Sequence, residues 1–421
     1  MKSENFQKTP ISDLKISGLK NFTEEEVRIA ANVVKRFGQQ IPIVVDNENN
    51  IVLGDIFYYA VKNLGTETVD VIKIDNLSKK EIKAYTVAIN RVIEFGDFDI
   101  GKLTLDVKDL LFDDSFEISP EELGFSTIEL DNLVFSCPEE LDEKDSELDN
   151  IPEANECITK PGDLIKLGNH ILYCGDALNP DSYEVVLDGK NADIVIVDPP
   201  YNVKIQGNVT KQKHHKEFSE ATGEMSTDEF TNFLSTAADL LAKNSKLNSI
   251  HYYFMDWRHT YNLLAACNKV YPKQLNMCIW NKLNGGMGSF YRSQHELCFV
   301  FQNGKGKYRN NIQLGKNGRT RTNVWNYLGM NTSTNEAKEL RKLHPTVKPV
   351  AMLVDILLDA SNYGDIVLDS FGGSGSTLIA AEECGRSSRL IEISPTYCDV
   401  IIARWEVLTG KKHEVIERKE K

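Results

Sequence analysis

The chain has 421 residues, 41% of them hydrophobic, and a formal net charge of −14. That length suits two or three domains of about 100–200 residues each, and no apolar run approaches the roughly 20 residues of a membrane span. The opening MKSENFQKTP lacks the apolar stretch of a secretory signal, and the eight cysteines form no CxxC pair. Buried thiols in a reducing cytoplasm are therefore expected, and no metal site is. Net charge weighs against a nucleic-acid partner, but its distribution does not. The acid is dense at PEELDEKDSELDN (138–150), whereas Leu297 to Asn335 holds no Asp or Glu and carries Lys305, Lys307, Arg309, Lys316, Arg319 and Arg321. Local field governs phosphate contact, so Lys305, Lys307, Lys316, Arg319 and Arg321 are the candidate DNA-binding residues. An ordinary solvated basic surface is the alternative.

In chain order, Thr23 and Glu26 form a capping-box pattern, and Val27, Ala30, Ala31 and Val34 line one helical face that Gly38 ends. IPIVVD (41–46) and NIVL (50–53) read as strands joined by NENN. A helix over 56–65, a strand over 69–74 and helical segments over 95–135 follow. The acidic run has few large apolar residues and a proline on each side (Pro138, Pro152), which marks a solvated linker. The expected boundaries are a first domain over 1–135, a linker over 136–160 and a second domain over 161–421.

KLGNHILYCGDAL (166–178) reads as a short strand ending at Asp176. In ADIVIVDPPY (192–201) the run Ile194–Val197 is apolar on both faces, as a buried parallel strand should be. Asp198, Pro199, Pro200 and Tyr201 then fall at the C-terminal end of that strand, where open α/β sheets bind ligands. An Asp-Pro pair can simply open a turn. These four residues also suit methylation of an exocyclic amino group. The nitrogen lone pair of such a group is conjugated into the base ring. A carboxylate accepting one N–H and a rigid backbone carbonyl accepting the other can free it, and Tyr201 offers a face for a base taken out of the stack. DIVLDSFGGSGSTLIAAEECG (365–385) reads as strand, glycine turn and helix, and SRLIEISP (388–395) as a buried strand ending at Glu392. The spacing departs from GxGxxG because Leu378 fills its third position. That favours S-adenosylmethionine, which has no phosphate, over a dinucleotide. His295 and Glu296 lie between strand-like segments, where a core or hinge role is as well supported as catalysis.

The first 100 residues resemble the ParB-like N-terminal domain, including AINR at 88–91. That family carries a Gly-His-Gly-Arg turn before its second helix. Here the turn is Gly54, Asp55, Ile56 and Phe57, so the resemblance implies a docking or DNA-positioning module rather than a nuclease. The remainder resembles the permuted β class of DNA amino-methyltransferases. The landmarks are GDAL (175–178), DPPYNVKI (198–205), MDWRH (255–259), YRSQHELCFVF (291–301), RTNVW (321–325), HPTVKP (344–349), FGGSGST (371–377) and LIEISP (390–395). The whole chain resembles bacterial and phage proteins that join the two. This implies an α/β protein with a Rossmann-like, S-adenosylmethionine-dependent methyltransferase domain, a mostly parallel sheet and an N-terminal ParB-like α/β domain. It also implies a cytoplasmic setting, double-stranded DNA as partner, and room for a homodimer. Asp198 to Tyr201 would hold the base. Asp369, Phe371, Gly372, Gly373 and Gly375 would meet the methionine end of the cofactor, Glu392 its ribose and Asp176 its adenine. Lys348, in the HPTVKP segment, would close over the methionine part. Ser370 stands where the family usually has proline. Segments 203–225 and 303–340 are expected to read DNA. The resemblance favours adenine N6 as the target, with cytosine N4 as the alternative. Methylation of RNA or protein glutamine and a catalytically idle, partition-like DNA-binding protein are the readings from other classes.

Overall fold

The computed structural model describes residues 6–95, 98, 100–111, 118–135, 148–149, 158–202, 223–283, 285, 290–313, 319–328 and 347–418. The chain divides into two compact units, Met1–Val134 and Phe135–Lys421.

In the first unit the strands are β1 (Phe6–Pro10), β2 (Ile43–Asp46), β3 (Ile51–Leu53) and β4 (Thr68–Ile74), in the order β1-β4-β2-β3. Helices α1 (Glu24–Phe37), α2 (Asp55–Asn63), α3 (Lys79–Val92), α4 (Ile100–Leu111) and α5 (Thr127–Phe135) accompany them. Helix α1 begins where the capping box predicts. Glu26 donates its backbone N–H to Thr23 Oγ1 at 3.2 Å, and the Glu26 carboxylate accepts the Thr23 N–H at 2.6 Å. Ile43, Val45, Ala60 and Val71 are fully buried between helices and sheet. Gly54 opens α2 at φ 105°, a conformation that glycine takes without strain. Asp55 next to it is buried, and its carboxylate accepts the Ser17 N–H at 3.0 Å and the Ser17 hydroxyl at 2.7 Å. That acid pins the chain entering the unit.

The second unit is built on a ten-stranded sheet. Its strands are β5 (Asp163–Leu167), β6 (His170–Cys174), β7 (Ala192–Val197), β8 (Ser245–Met255), β9 (Lys273–Asn281), β10 (His295–Gln302), β11 (Val324–Asn326), β12 (Ile366–Asp369), β13 (Ser387–Glu392) and β14 (Glu414–Arg418). They lie in the order β11-β9-β10-β8-β7-β12-β13-β6-β5-β14. The middle, β8-β7-β12-β13-β6, is parallel. On one flank β9 and β10 are antiparallel, and on the other β5 runs antiparallel to both β6 and β14. β11 is again parallel to β9, so the expected mostly parallel sheet holds except where β10 and β5 run against their neighbours. The single strand expected over 166–176 is instead a hairpin. Gly168, at φ 58°, turns β5 into β6, and Asp176 lies two residues past the end of β6.

The crossover helices are α6 (Pro180–Leu187), α7 (Thr227–Lys243), α8 (Thr260–Val270), α9 (Val350–Ala360), α10 (Ser376–Glu383) and α11 (Pro395–Thr409). Strand β7 leads through α7 to β8 on one side, whereas β12 leads through α10 to β13 on the other. The order in which strands are laid down thus reverses between the parallel neighbours β7 and β12, and such a switch point opens a crevice at the C-terminal strand ends. No helix among the described residues is long and apolar enough to cross a membrane.

Most of the expected linker lies outside the described residues, but Asp149 and Leu148 do not simply face solvent. The Asp149 carboxylate accepts the Val350 N–H at 2.9 Å, at the positive end of α9, and Arg404 donates to the Leu148 carbonyl at 2.7 Å.

Candidate active site

Asp198, Pro199, Pro200 and Tyr201 leave the end of β7 at the switch point. The β7 strand is buried along nearly its whole length, so the position of Asp198 is fixed by the core beneath it. The Tyr201 hydroxyl donates to Asp198 Oδ1 at 2.5 Å, and Lys348 donates to Asp198 Oδ2 at 2.5 Å. The next residue, Asn202, adopts φ 52°. Its side-chain oxygen accepts the N–H groups of Gly223 at 2.9 Å and Met225 at 3.3 Å, while its amide donates to the Met225 carbonyl at 2.8 Å. One side chain thereby ties together the two ends of segment 203–222, which lies outside the described residues.

Lys348 is where the structure departs most from expectation. The resemblance puts it over the cofactor's methionine part, but it stands beside the DPPY carboxylate, with its side chain only 5% exposed. Its ammonium group also meets Glu296 Oε2 at 3.1 Å and the Tyr201 hydroxyl at 3.2 Å, and lies 5.2 Å above the Phe254 ring. Glu296, on β10, receives a second cation, Lys282, at 2.5 Å. Asp198, Glu296, Lys282 and Lys348 thus form two acid–base pairs of zero net charge, the arrangement that lets charges persist out of water. Burial pushes the Asp198 carboxyl up, and Lys348 offsets part of this. Burial also opposes ionisation of Glu296, but Lys282 and Lys348 outweigh it and hold that carboxyl at about 2. Burial alone would lower Lys348; the charges of Asp198 and Glu296 hold it above its ordinary value. Burial, with both carboxylates, keeps Tyr201 well above its ordinary value, so its hydroxyl retains the proton that it donates. Sequence reasoning leaves Glu296 undecided and passes over Lys282. Their pairing comes from the β9–β10 register, which sets His295 opposite Asn281 and Glu296 opposite Trp280.

The glycine turn follows β12 as expected. Asp369, nearly buried at the strand end, accepts the Phe371 N–H at 2.9 Å. Gly373 and Gly375 have φ of 50° and 84°, and a Cβ on Gly375 would stand 2.9 Å from Ile401 Cγ1. The Phe371 ring packs 6.0 Å from Phe233. Gly372 donates to the Ile391 carbonyl at 3.0 Å, which brings the turn against the end of β13. There the Glu392 carboxylate accepts the N–H groups of Gly373 and Ser394, each at 2.8 Å. The Glu392 carbonyl accepts the Gly175 N–H at 3.0 Å, which draws in the exposed Asp176. Asp176, Asp369, Phe371, Gly372, Gly373, Gly375 and Glu392 therefore gather at the ends of three adjacent strands, next to Asp198. Burial raises both Asp369 and Glu392 to about 7, and among the described residues neither belongs to an ion pair.

The basic stretch divides. Lys305 and Lys307 are exposed, and Lys316 lies outside the described residues. Arg319 and Arg321 do not reach outward, contrary to expectation. Arg319 pairs with Asp355 and Asp359 at 2.9 Å, and Arg321 with the same two acids at 2.7 and 3.1 Å. Tyr327 bonds to both Arg321 and Asp355. The physical reason is that α9 is buried over its whole length, so its two carboxylates, one turn apart, need cations that the passing loop supplies. His344 and residues 203–222, with His214 and His215, lie outside the described residues. No group of His, Cys, Asp or Glu among the described residues is arranged to hold a metal ion.

Comparison with known proteins gives the family. The type II methyltransferase M.HinfI of Haemophilus influenzae is 27% identical over 244 residues, covering 54% of this chain and 67% of that protein. The type II methyltransferase M.HpaI of Haemophilus parainfluenzae is 24% identical over 232 residues, covering 51% and 68%. Among solved structures, the M1.HpyAVI–SAM complex is 21% identical over 55% of this chain and 97% of that one, with a TM-score of 0.41. The C-terminally truncated chromosome-partitioning protein ParB of Caulobacter crescentus, complexed with CTP-gamma-S, is 21% identical over 30% and 76%, with a TM-score of 0.27. The DNA methylase family matches residues 192–403, half of the chain and the span that runs from β7 into α11, and the chain belongs to that family.

Proposed function

We propose that the protein transfers a methyl group from S-adenosylmethionine to the N6 amino group of adenine in double-stranded DNA. The observation that carries this reading is the placing of Asp198 and the glycine turn on neighbouring strand ends at one switch point. The target amino group needs a fixed acceptor, because its lone pair is conjugated into the ring. Asp198 accepts one N–H and turns the lone pair toward the methyl carbon. With the cofactor bound, its activated methyl group would be the target for that lone pair, and the Asp198 carboxylate would take the proton that the amino nitrogen gives up. A preorganised acceptor of this kind is worth on the order of 3–4 kcal/mol of barrier. The base reaches Asp198 by leaving the helical stack.

The turn suits this cofactor. Asp369 and Glu392 are buried carboxyls held near 7 without a cation of their own, and S-adenosylmethionine brings a sulfonium and an ammonium. The positive φ at Gly373 and the crowding at Gly375 bring backbone, not side chain, to the pocket wall. When bound, the cofactor supplies an activated methyl group. Glu392 would then orient the ribose, Asp176 the adenine, and Asp369 with Phe371 the methionine end. Lys305 and Lys307 remain as phosphate contacts. Adenine is preferred because an aspartate opens the DPPY segment. The first 135 residues are read as a ParB-like docking module. With Asp55 bonded to Ser17, its turn offers no free polar pair for cutting.

The test is to sequence DNA from expressing cells for modified bases and to digest it for mass spectrometry of nucleosides. N6-methyladenine is expected. N4-methylcytosine alone would replace adenine with cytosine, and the absence of any modified base would overturn the reading.

A further inference from the structure

The geometry points to Lys348 as a specificity-determining residue that reads the ring nitrogen beside the target amino group, forming with Asp198 a two-point reader of the base edge. This rests on the proposed methylation of a DNA amino group. The Tyr201 hydroxyl sits between the two groups. It donates to Asp198 Oδ1 at 2.5 Å and accepts from Lys348 at 3.2 Å. It thus presents one donor and one acceptor side by side. Adenine presents that same pair at N6–H and N1, and cytosine at N4–H and N3, whereas thymine and guanine present a carbonyl and a ring N–H there. In the free protein Tyr201 stands where that base edge would go.

The ammonium group has three N–H donors. Two are engaged by carboxylates, Asp198 at 2.5 Å and Glu296 at 3.1 Å; the third and longest bond is to Tyr201. Movement of the Tyr201 ring, as it swings to lie against the base, therefore uncovers one acceptor on Asp198 and one donor on Lys348. The ammonium group is bonded at 2.5 Å to the other oxygen of the same carboxylate, Oδ2, so the uncovered donor and the uncovered Oδ1 belong to one linked pair and face the base edge together. Glu296, itself anchored by Lys282, holds Lys348 in place while Tyr201 leaves. The arrangement also has a chemical use. The ring nitrogen is the more exposed nucleophile of an aminopyrimidine edge, and a hydrogen bond from Lys348 occupies its lone pair, so that the methyl group goes to the amino nitrogen.

The test uses the full chain and a duplex carrying the sequence found methylated in cells, with the target base intact or replaced by its deaza analogue (1-deazaadenine, or 3-deazacytosine if the target is cytosine). The analogue keeps the amino group and lacks the ring acceptor. Wild-type kcat/KM is expected to fall roughly 10- to 100-fold on the analogue. Lys348→Met should be slow on the natural base and drop less than about twofold further on the analogue, as in a double-mutant cycle between touching groups. Lys348→Gln, whose amide still donates, should keep part of the discrimination and guards against misfolding of the Met variant. Cofactor binding, measured by calorimetry, should survive in both. The inference is overturned if Lys348→Met discriminates against the analogue as strongly as wild type, since a purely structural lysine would slow both substrates alike. It is also overturned if the wild type does not discriminate. A wild type that methylates no DNA would sink the proposed function itself, a separate result.

Discussion

Two carboxyls near 7 in one cofactor pocket make binding depend on pH in a definite direction. Burial raises Asp369 and Glu392 to about 7, and the charge of Asp369 raises Glu392 further. A cationic cofactor favours the ionised forms. For one carboxyl of pKa 7, the ionised fraction rises from about 9% at pH 6 to about 76% at pH 7.5, so affinity should rise about 8-fold; two acting separately would give up to about 70-fold. The pair titrates together, so the observed gain falls between these values. The window stops at 7.5 because an α-amino group has lost half of its own charge by about 7.7–8.0. Stability without cofactor runs the other way. A raised carboxyl contributes stability that is complete below its unfolded value near 4 and is lost as pH rises through 7. Calorimetric titration of S-adenosylmethionine at pH 6, 6.5, 7 and 7.5, in buffers of differing ionisation enthalpy, measures affinity and proton release together. Glu392→Gln should remove part of the slope. A pH-independent affinity, or binding without proton release at pH 6, would refute the assignment of these carboxyls to the cationic cofactor.

Asp198→Ala should abolish methyl transfer, a loss of about 3–4 kcal/mol or more of barrier lowering, while cofactor affinity stays within a few-fold; near wild-type turnover would contradict the role given to this carboxylate. Gly375→Val should block cofactor binding, because it combines φ 84° with a Cβ 2.9 Å from Ile401, and normal binding in a calorimeter would count against that. Asp359→Asn removes one acid from a buried cluster holding two arginines, so a loss of about 3–5 kcal/mol and a lower melting temperature are expected. The same variant should leave the salt slope of DNA binding unchanged; a steeper slope would mean that the freed arginines can reach phosphate. Lys305 and Lys307 changed together to Glu should flatten that slope by about 0.9 for each phosphate no longer neutralised, and an unaltered slope would remove them from the interface.

Legibility in the sequence followed physical rules. Strands β7 and β12 were readable because central parallel strands are covered on both faces and appear as apolar runs ending at a polar residue, and β13 was readable from Leu390 and Ile391 before Glu392. The β5–β6 hairpin was legible too and was passed over, since Gly168 and Asn169 between two alternating runs are a two-residue hairpin turn. The basic stretch misled because charge was counted along the chain. The acids that neutralise Arg319 and Arg321 lie 34–40 residues further on, in a helix that reads as plain core. Asp355 and Asp359, four apart in VAMLVDILLDA, were the available signal: two carboxylates on one stripe of a buried helix require buried cations. The Lys348–Asp198 pair joins residues 150 apart. No local pattern announces it, and only the closing of α9 and β7 around one switch point brings the two together.

Asn202 makes the reaction site independent of how much chain follows it. Its single amide grips the chain where segment 203–222 departs and where it returns, so the strand end carrying Asp198 and the start of α7 are held in register at the neck. Doubling the length of such an insert adds only about 0.6 kcal/mol of closure entropy. The segment can therefore be exchanged like a cartridge, longer or shorter, while the chemistry next to the neck stays in place.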